Sequence, residues 1–388
     1  MNPNKAEASS SRKVPSRDPY VYVTYEIDYQ HGYVAVIDPV EDRIIKRIQV
    51  GANPGAMAMD PDEKKLFVAN TRIGSLSIID TGSHSILNTV PVGNMSSTPA
   101  RPVAVLVASN GKKAYVANYG NKNVTIIDSP TNMVLKNVDV GPGRPFALAS
   151  NENSSYIYVA CKVADGRDYV AAISIEDDSV HPYGSQFQLT FDTAHNPLVV
   201  HPNGQTQIAL GTTGMLCFYA GEIIGEPNTS SLLDNTVSGV YLDNKLLFCT
   251  MENNRGFLKL FNDLEVDWMG TVYGNALPDV TSYKGQDKIR LSRRQVYIGV
   301  TIQPTTLPTG GLQIFNTTRA QTRFVPLASV GDLAFFSDTK AYVGESRAIR
   351  PIDLTTATAT ALPAIEIGPT DSNPIAVKNI ISGYRNQS

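Results

Sequence analysis

The sequence has no long apolar run, no excess of one charge and little cysteine. None of its hydrophobic stretches approaches the roughly 18–20 residues that a membrane-spanning helix needs. Its 33 Lys and Arg residues are balanced by 36 Asp and Glu residues, which gives a net charge of −3. The basic excess typical of nucleic-acid-binding proteins is therefore missing. We expect the chain to bind neither nucleic acid nor membrane.

The three cysteines, Cys161, Cys217 and Cys249, each lie inside an apolar β-like run. They show no CxxC spacing for a metal or a redox disulfide, so we expect buried, reduced thiols. The polar residues 1–18 lack the apolar core of a secretory signal. These features predict a disordered leader at 1–18, a reducing compartment and a cytoplasmic location.

Local catalytic and metal-binding motifs are also missing. The sequence contains no HExxH, no GxSxG, no phosphate-binding Gly-rich loop and no complete EF-hand pattern. Its five histidines do not cluster at a ligand spacing, which disfavours haem and zinc. We therefore predict no metal and no cofactor.

What the sequence does contain is a repeat of four short runs rich in β-branched and aromatic residues. The clearest units begin at Leu66 and Ala114, and turn-forming Asn, Asp, Gly and Pro separate their runs. A period of 40–50 residues with four strands per unit is typical of β-propeller blades. The first run of the unit recurs at Tyr22, Phe67, Tyr115, Tyr158, Ile208, Phe248, Tyr297 and Tyr342.

The units resemble the YVTN-type repeat family through YVTY, FVAN, YVAN, YVAC and YVGE, most of them followed by an IID-like run and a VG-terminated run. The resemblance covers nearly the whole chain after residue 19 and is strongest in the first three units and the last. It implies a propeller fold but no particular activity. It also implies the order within a blade: a Pro-led run innermost (strand A), then the YVAN run (B), the IID run (C) and the VG run (D).

This strand order predicts how the ring closes. The chain begins with strands B, C and D and ends with an A strand, NPIAVKNII, which would complete the first blade and cover two exposed sheet edges. We predict one all-β propeller over residues 19–388 with eight four-stranded blades; seven is the alternative, if residues 208–245 form no blade. The eight A strands are expected to start near Pro54, Pro102, Pro145, Pro197, Val237, Pro278, Val330 and Pro374.

Strand alternation places all B–C loops and D–A linkers on one face, here called the loop face. All A–B and C–D turns lie on the opposite face, the turn face. The insertions at 26–32, 94–101, 163–168 and 301–310 fall on the loop face, and long loops on a rigid scaffold are the usual place for binding or catalysis. The lysine pairs at 64–65 and 112–113 fall on the turn face, where we expect solvated charges.

Two rings of polar side chains are expected at the mouth of the central channel on the loop face. The first ring precedes the A strands and contains Asn53, Arg101, Arg144, Asn196 and Asn373, with His195 beside Asn196. The second ring ends the B strands and contains Tyr25, Asn70, Asn118, Lys162 and Glu345, with Glu252 at the end of a further B strand. Arginines and amides suit a carboxylate or phosphate group. The structural alternative is that these side chains satisfy backbone groups of the linkers.

Two functions agree with these residues. The one we favour is a binding or scaffold module that recognises a protein or a small anionic ligand on the loop face. The alternative is an enzyme without a local motif, a lyase, isomerase or hydrolase, acting on a small carboxylate- or phosphate-bearing substrate. Its catalytic candidates are His195, Glu252 and Glu345. Because Arg101 and Arg144 occupy equivalent positions in neighbouring blades, we expect both guanidinium groups in one sector of the mouth.

Overall fold

A computed structural model gives the architecture of the chain. The residues it describes are 19–94, 98–183, 190–202, 204, 206–212, 214–219, 222–223, 238–242, 245–252, 255–262, 265–266, 272–273, 280–282, 286–292, 294–304, 310–317, 321–356, 358–367 and 376–382. The predicted leader at 1–18 lies outside these residues. This described part of the chain contains strands and no helix, and hence no helix that could span a membrane.

The repeated runs of the sequence form strands in the expected order. The first fifteen are β1 Val21–Glu26, β2 Gly32–Asp38, β3 Arg43–Val50, β4 Pro54–Met59, β5 Lys65–Asn70, β6 Ser75–Asp80, β7 Ser85–Pro91, β8 Pro102–Val107, β9 Lys113–Asn118, β10 Asn123–Asp128, β11 Met133–Asp139, β12 Arg144–Ala149, β13 Tyr156–Lys162, β14 Tyr169–Ser174 and β15 Val180–Tyr183.

The second half of the chain continues the pattern with shorter strands. These are β16 Leu198–Val200, β17 Thr206–Gly211, β18 Gly214–Tyr219, β19 Glu222–Ile223, β20 Ser238–Leu242, β21 Lys245–Glu252, β22 Arg255–Asn262, β23 Glu265–Val266, β24 Val272–Tyr273, β25 Val280–Ser282, β26 Gln286–Leu291, β27 Tyr297–Ile302, β28 Gly310–Asn316, β29 Gln321–Leu327, β30 Leu333–Ser337, β31 Lys340–Gly344, β32 Ala348–Asp353, β33 Thr360–Ala361, β34 Ile365–Glu366 and β35 Ala376–Ser382.

The strands of the described residues form eight antiparallel blades, as predicted. Blade 1 has the order β35-β1-β2-β3, and most later blades use four consecutive strands from A to D. In blade 6 the outer strand is β25, because the separate hairpin β23-β24 intervenes, and in blade 8 both β33 and β34 pair with β32. The innermost strands contact one another in the ring order β35, β4, β8, β12, β16, β20, β26 and β30, and β30 again contacts β35.

The C-terminal strand closes the ring, which confirms the prediction. β35 pairs antiparallel with β1, so that Tyr22 lies opposite Ile381 and Tyr25 opposite Val377. Asp332 of blade 8 accepts hydrogen bonds from the Asn379 side chain at 2.7 Å and from the Ile380 amide at 3.2 Å. A buried carboxylate therefore joins blade 8 to the strand that completes blade 1.

One innermost strand was predicted at the wrong place. The A strand of blade 7 is β26, which starts at Gln286 and not near Pro278. Residue 278 lies outside the described residues, and the strand just after it, β25, is the outer strand of blade 6. The error arose because β26 has no leading proline and begins with polar residues, whereas the prediction followed the Pro-led pattern that most of the blades show.

Burial of both faces explains why apolar and polar residues do not strictly alternate along the B and C strands. Nearly every residue of β5, β6, β9 and β10 is buried, because neighbouring blades cover both faces of a blade. The outer strands β7 and β11 are mostly exposed. The core is thus a series of clusters between blades; Tyr22 of blade 1, for example, packs with Met57 and Leu66 of blade 2.

Three lysines on the turn face repeat one contact between blades. Lys65, Lys113 and Lys340 each begin a B strand and reach the C–D turn of the next blade. Lys113 Nζ lies 3.0 Å from the Ile175 carbonyl and 2.6 Å from Asp178 Oδ1. Our expectation of solvated charges was therefore wrong for Lys65 and Lys113, because a lysine stem is long enough to reach the adjacent turn.

Candidate functional site

The loop face carries two arginines on one aromatic ring. The guanidinium carbons of Arg101 and Arg144 lie 5.5 and 5.4 Å from the ring centroid of Tyr119. Arg101 ends the linker into blade 3, Tyr119 begins the B–C loop of blade 3, and Arg144 begins blade 4. The structure therefore brings the two arginines into one sector of the channel mouth. We call these three residues the arginine pair site.

The backbone around Arg101 fixes its position. Its carbonyl accepts the Tyr119 amide at 3.1 Å, and the preceding carbonyl of Ala100 accepts the Gly120 amide at 2.8 Å. Asn53 occupies the equivalent position in blade 2, where its carbonyl accepts the Thr71 amide at 3.0 Å. Both residues adopt left-handed backbone, with φ of 50° at Arg101 and 54° at Asn53. Asparagine tolerates this conformation, whereas arginine does so at a cost.

Neither arginine of the pair forms an ion pair within the described residues. Arg144 Nη1 donates to the carbonyls of Tyr119 at 3.0 Å and Gly120 at 3.3 Å, which are neutral groups. Arg101 is exposed and contacts the ring face. Two like charges thus share one aromatic ring without a compensating carboxylate, an arrangement that an incoming anion would stabilise.

A polar cavity adjoins the arginine pair site along the same chain segments. Its volume is about 540 Å³. Its wall contains the carboxamides of Asn94, Asn121, Asn123 and Asn137 together with Lys122 and Asp139. The Asn123 side chain is almost completely buried, and its Nδ2 atom has no hydrogen-bond partner. We call this the amide cavity.

A second polar cluster surrounds His195 on another sector of the loop face. His195 Nδ1 lies 3.0 Å from Asp192 Oδ2, and Nε2 lies 2.9 Å from Asp287 Oδ1. Both ring nitrogens of His195 therefore face carboxylates, and the residue joins the linker before blade 5 to the start of blade 7.

Asp287 is stabilised as a carboxylate by its neighbours. Burial acts to raise its pKa, but the His195 hydrogen bond, the Lys288 ammonium and the Gln303 amide together hold that pKa well below its usual range. Lys288 Nζ also donates to the Ala194 carbonyl at 2.9 Å. The polar groups of this cluster thus form hydrogen bonds with one another, and neither ring nitrogen of His195 is left free to act as a base.

Three residues of the predicted second ring lie inside the blades. Tyr25, Asn70 and Asn118 are fully buried. Asn118 Nδ2 donates to Asn123 Oδ1 at 2.9 Å and to Thr125 Oγ1 at 2.7 Å, and Asn70 makes the matching bonds to Ser75 and Ser77. The prediction that these three side chains surround the channel mouth was therefore wrong, because they turn toward strand C of their own blade.

Lys162, Glu345 and Asn196 have partners that hold loops together. Lys162 Nζ lies 2.7 Å from the buried Asp168, and Arg350 Nη2 lies 2.9 Å from Glu345 Oε2. Asn196 Nδ2 donates to the Leu148 carbonyl at 3.1 Å. Glu252 ends β21, and nothing of its side chain is described; Asn373 lies outside the described residues. No contact among described residues joins His195 to Glu345.

Sequence reasoning missed Tyr119 and Asp287. Tyr119 directly follows YVAN in its unit, where the matching unit has Thr71, so an aromatic at a loop position was the available signal. Asp287 had no such signal, because its bond to His195 joins residues 92 positions apart.

The matched protein family is named for a haem domain. Residues 7–182 match the family model for the Cytochrome D1 heme domain. This match covers less than half of the chain, so it is a similarity and not a membership. A search among curated proteins finds no match.

Three solved structures share the fold. Dihydro-heme d1 dehydrogenase NirN in complex with DHE has a TM-score of 0.67 at 14% identity, over 95% of this chain and 77% of that chain. Apo AztD from Citrobacter koseri gives 0.63 at 14% identity, over 94% and 97%. The Dos1 propeller gives 0.61 at 11% identity, over 85% and 90%. At such low identity the likeness shows the β-propeller fold alone.

The described residues do not fit a haem. Among the five histidines, His31 and His195 lie on the loop face; both nitrogens of His195 bond carboxylates, and His31 is held by Asp28 on an exposed loop. The wall of the amide cavity contains neither a histidine nor an aromatic ring to face a macrocycle. Within the described ranges, no group of three or more His, Cys, Asp or Glu could hold a metal ion.

Proposed function

We propose that this protein is a β-propeller binding module that takes a small carboxylate- or phosphate-bearing ligand at the arginine pair site. The observation that carries the proposal is the position of Arg101 and Arg144 on one ring, with no acidic partner among the described residues. Paired guanidinium groups bind planar carboxylates and phosphates through charge-assisted hydrogen bonds.

The coarse similarity to known propellers supports a ligand-binding role. The matched family is named for a bound haem, and NirN was solved in complex with DHE. The enzyme alternative receives less support, since His195 and Glu345 are both engaged in ion pairs. The YVTN-type origin of the repeat and the cytoplasmic location stay predictions.

A calorimetric titration with inorganic phosphate, and separately with succinate, tests the proposal. The informative variant is Arg101→Asn/Arg144→Gln, because Asn is native to the equivalent backbone position of blade 2. We expect wild type to bind at least one probe and the variant to bind it at least tenfold more weakly, with a thermal transition no lower than that of wild type.

Arg167→Gln is the matched control. Arg167 is an exposed loop-face arginine that bonds Asp165 at 2.7 Å, so its loss removes one positive charge from the same face without touching the pair. The control should bind as wild type does. The proposal is wrong if neither probe binds wild type, or if the double variant binds as tightly as wild type.

A further inference from the structure

The arginine pair site and the amide cavity are built from the same three chain segments. The linker into blade 3 gives Asn94 to the cavity and Arg101 to the pair. The B–C loop of blade 3 contributes Tyr119 to the arginine pair site and Asn121 to the amide cavity. The linker into blade 4 contributes Asp139 to the amide cavity and ends at Arg144 of the arginine pair site. Two residues of chain span at most about 7 Å, so Tyr119 and Asn121 lie side by side. The two features are therefore neighbours on the loop face.

These segments are packed too closely to move independently. A Cβ atom added at Gly120 would lie 2.0 Å from the Pro99 carbonyl oxygen, and one added at Gly93 would lie 2.3 Å from Asn121 Oδ1. The Asn94 amide also donates to Asn121 Oδ1 at 3.0 Å, and Asn137 Nδ2 donates to the Gly93 carbonyl at 3.1 Å. The cavity wall is therefore fixed in position relative to the arginines before any ligand binds.

The chemistry of the cavity differs from that of the arginine pair. It holds one cation, Lys122, and one anion, Asp139, so its formal charge is zero. The protein itself already uses both side-chain atoms of Asn121 and of Asn137. The Asn94 carboxamide, the Lys122 ammonium and the second oxygen of Asp139 have no such partner among the described residues, and a carboxamide supplies both a donor and an acceptor. An apolar ligand body would leave these groups unpaired, which is unfavourable, whereas hydroxyl groups can both donate and accept.

We infer that the ligand has two parts: an anionic head at the arginine pair site and a neutral, polyhydroxylated body in the amide cavity. This inference rests on the proposed function, because it names the class of ligand for the same site. The arginines select the carboxylate or phosphate, and the amide cavity selects hydroxylated over apolar molecules of the same charge. A hydroxylated acid such as an aldonic acid has this composition.

Gluconate and hexanoate test the inference, because both are six-carbon carboxylates and only gluconate carries hydroxyl groups. Calorimetric titration of wild type should give at least tenfold tighter binding for gluconate. The variant Asn94→Ala/Asp139→Asn should lose this preference and bind gluconate about as weakly as hexanoate, with hexanoate unchanged. Asn at 139 keeps an acceptor for the Gly141 amide, so the linker should stay folded, which a thermal melt checks.

The outcomes separate the two proposals. Equal affinity of wild type for gluconate and hexanoate, with both weakened by Arg101→Asn/Arg144→Gln, would overturn the inference and leave the anion site standing. The same holds if the Asn94→Ala/Asp139→Asn variant keeps the full preference for gluconate. Failure of both acids to bind wild type would overturn the inference, and the phosphate and succinate titrations would then decide separately whether the proposed function stands.

Discussion

The two faces of this propeller use charged residues in different ways. On the turn face, Lys65, Lys113 and Lys340 repeat one contact to the C–D turn of the next blade. On the loop face, equivalent positions carry different residues: Asn53 and Arg101 share a backbone conformation and a carbonyl contact, but only Arg101 places a cation on a ring.

We interpret this difference as a separation of blade assembly on the turn face from the ligand recognition that we propose on the loop face. A contact that recurs from blade to blade serves a need that all blades share, which is to bond to the next blade. Arg101 differs in side chain from Asn53 at the equivalent position of blade 2, although both residues have the same backbone conformation. Its side chain is therefore not required for the contact between blades. The left-handed backbone at Arg101 is unfavourable for arginine, and among the described residues its side chain gains an exposed contact with the Tyr119 ring but no ion pair. This combination agrees with the ligand-binding role proposed for Arg101.

Loss of ring closure should have the largest effect on stability. Deletion of residues 374–388 removes β35 and exposes the edges of β1 and the inner face of blade 8, so we expect aggregation and loss of a cooperative thermal transition. Deletion of 383–388 keeps β35 and is the control, which should melt like the full chain. Size-exclusion chromatography and calorimetry measure both. A monomeric 374–388 deletion with an unchanged melting temperature would refute this mode of closure.

Removal of an inter-blade lysine should have the next largest effect. Lys113→Met keeps the aliphatic stem but leaves Asp178 and the Ile175 carbonyl without this donor, so we expect the free energy of unfolding to fall by about 1.5–3 kcal/mol. Lys112→Met is the matched control; its side chain is exposed beside Lys113, and its effect should stay within about 0.5 kcal/mol. Denaturant titration measures both. Equal effects would mean that the turn face carries no special inter-blade contact.

Arg101→Asn should change stability in the opposite direction. Asparagine tolerates the left-handed backbone better than arginine and so recovers part of a penalty of about 1–2 kcal/mol, whereas loss of the exposed ring contact costs about 0.5–1 kcal/mol. We therefore expect stability that is equal to that of wild type or up to about 1 kcal/mol higher, together with weaker anion binding. Denaturant titration of this variant against wild type measures the gain. A clear loss of stability would assign Arg101 to the structure of the linker.

The smallest expected effect concerns the thiol of Cys161. Burial raises its pKa above the usual range, and the residue is fully buried between blades 3 and 4, so the reactive thiolate is scarce and shielded. In native protein, we expect peptide mass spectrometry to find Cys161 unmodified after brief treatment with iodoacetamide, and modified after unfolding. Rapid modification in the native state would show that these blades open readily.

The repeat made the fold predictable, because period and strand order together determine which strands neighbour one another and which loops share a face. Radial position was not predictable in the same way. Asn70 and Asn118 lie at the ends of their B strands, as predicted. Their side-chain amides, however, donate hydrogen bonds to residues of strand C and do not face the channel. The proximity of Arg101 to Arg144 could be predicted, because the two residues occupy equivalent positions in adjacent blades. The His195–Asp287 bond could not be predicted, because it joins parts of the chain that no repeat relation connects.

The most direct test of the account is the shift in melting temperature that inorganic phosphate causes in three proteins: wild type, Lys65→Met/Lys113→Met and Arg101→Asn/Arg144→Gln. A ligand that binds only the folded state raises the transition according to its affinity. We predict a lower melting temperature but a full phosphate shift for the lysine variant, and an equal or higher melting temperature with no shift for the arginine variant. A phosphate shift that survives in the arginine variant, or that is lost in the lysine variant, would contradict the division between the two faces.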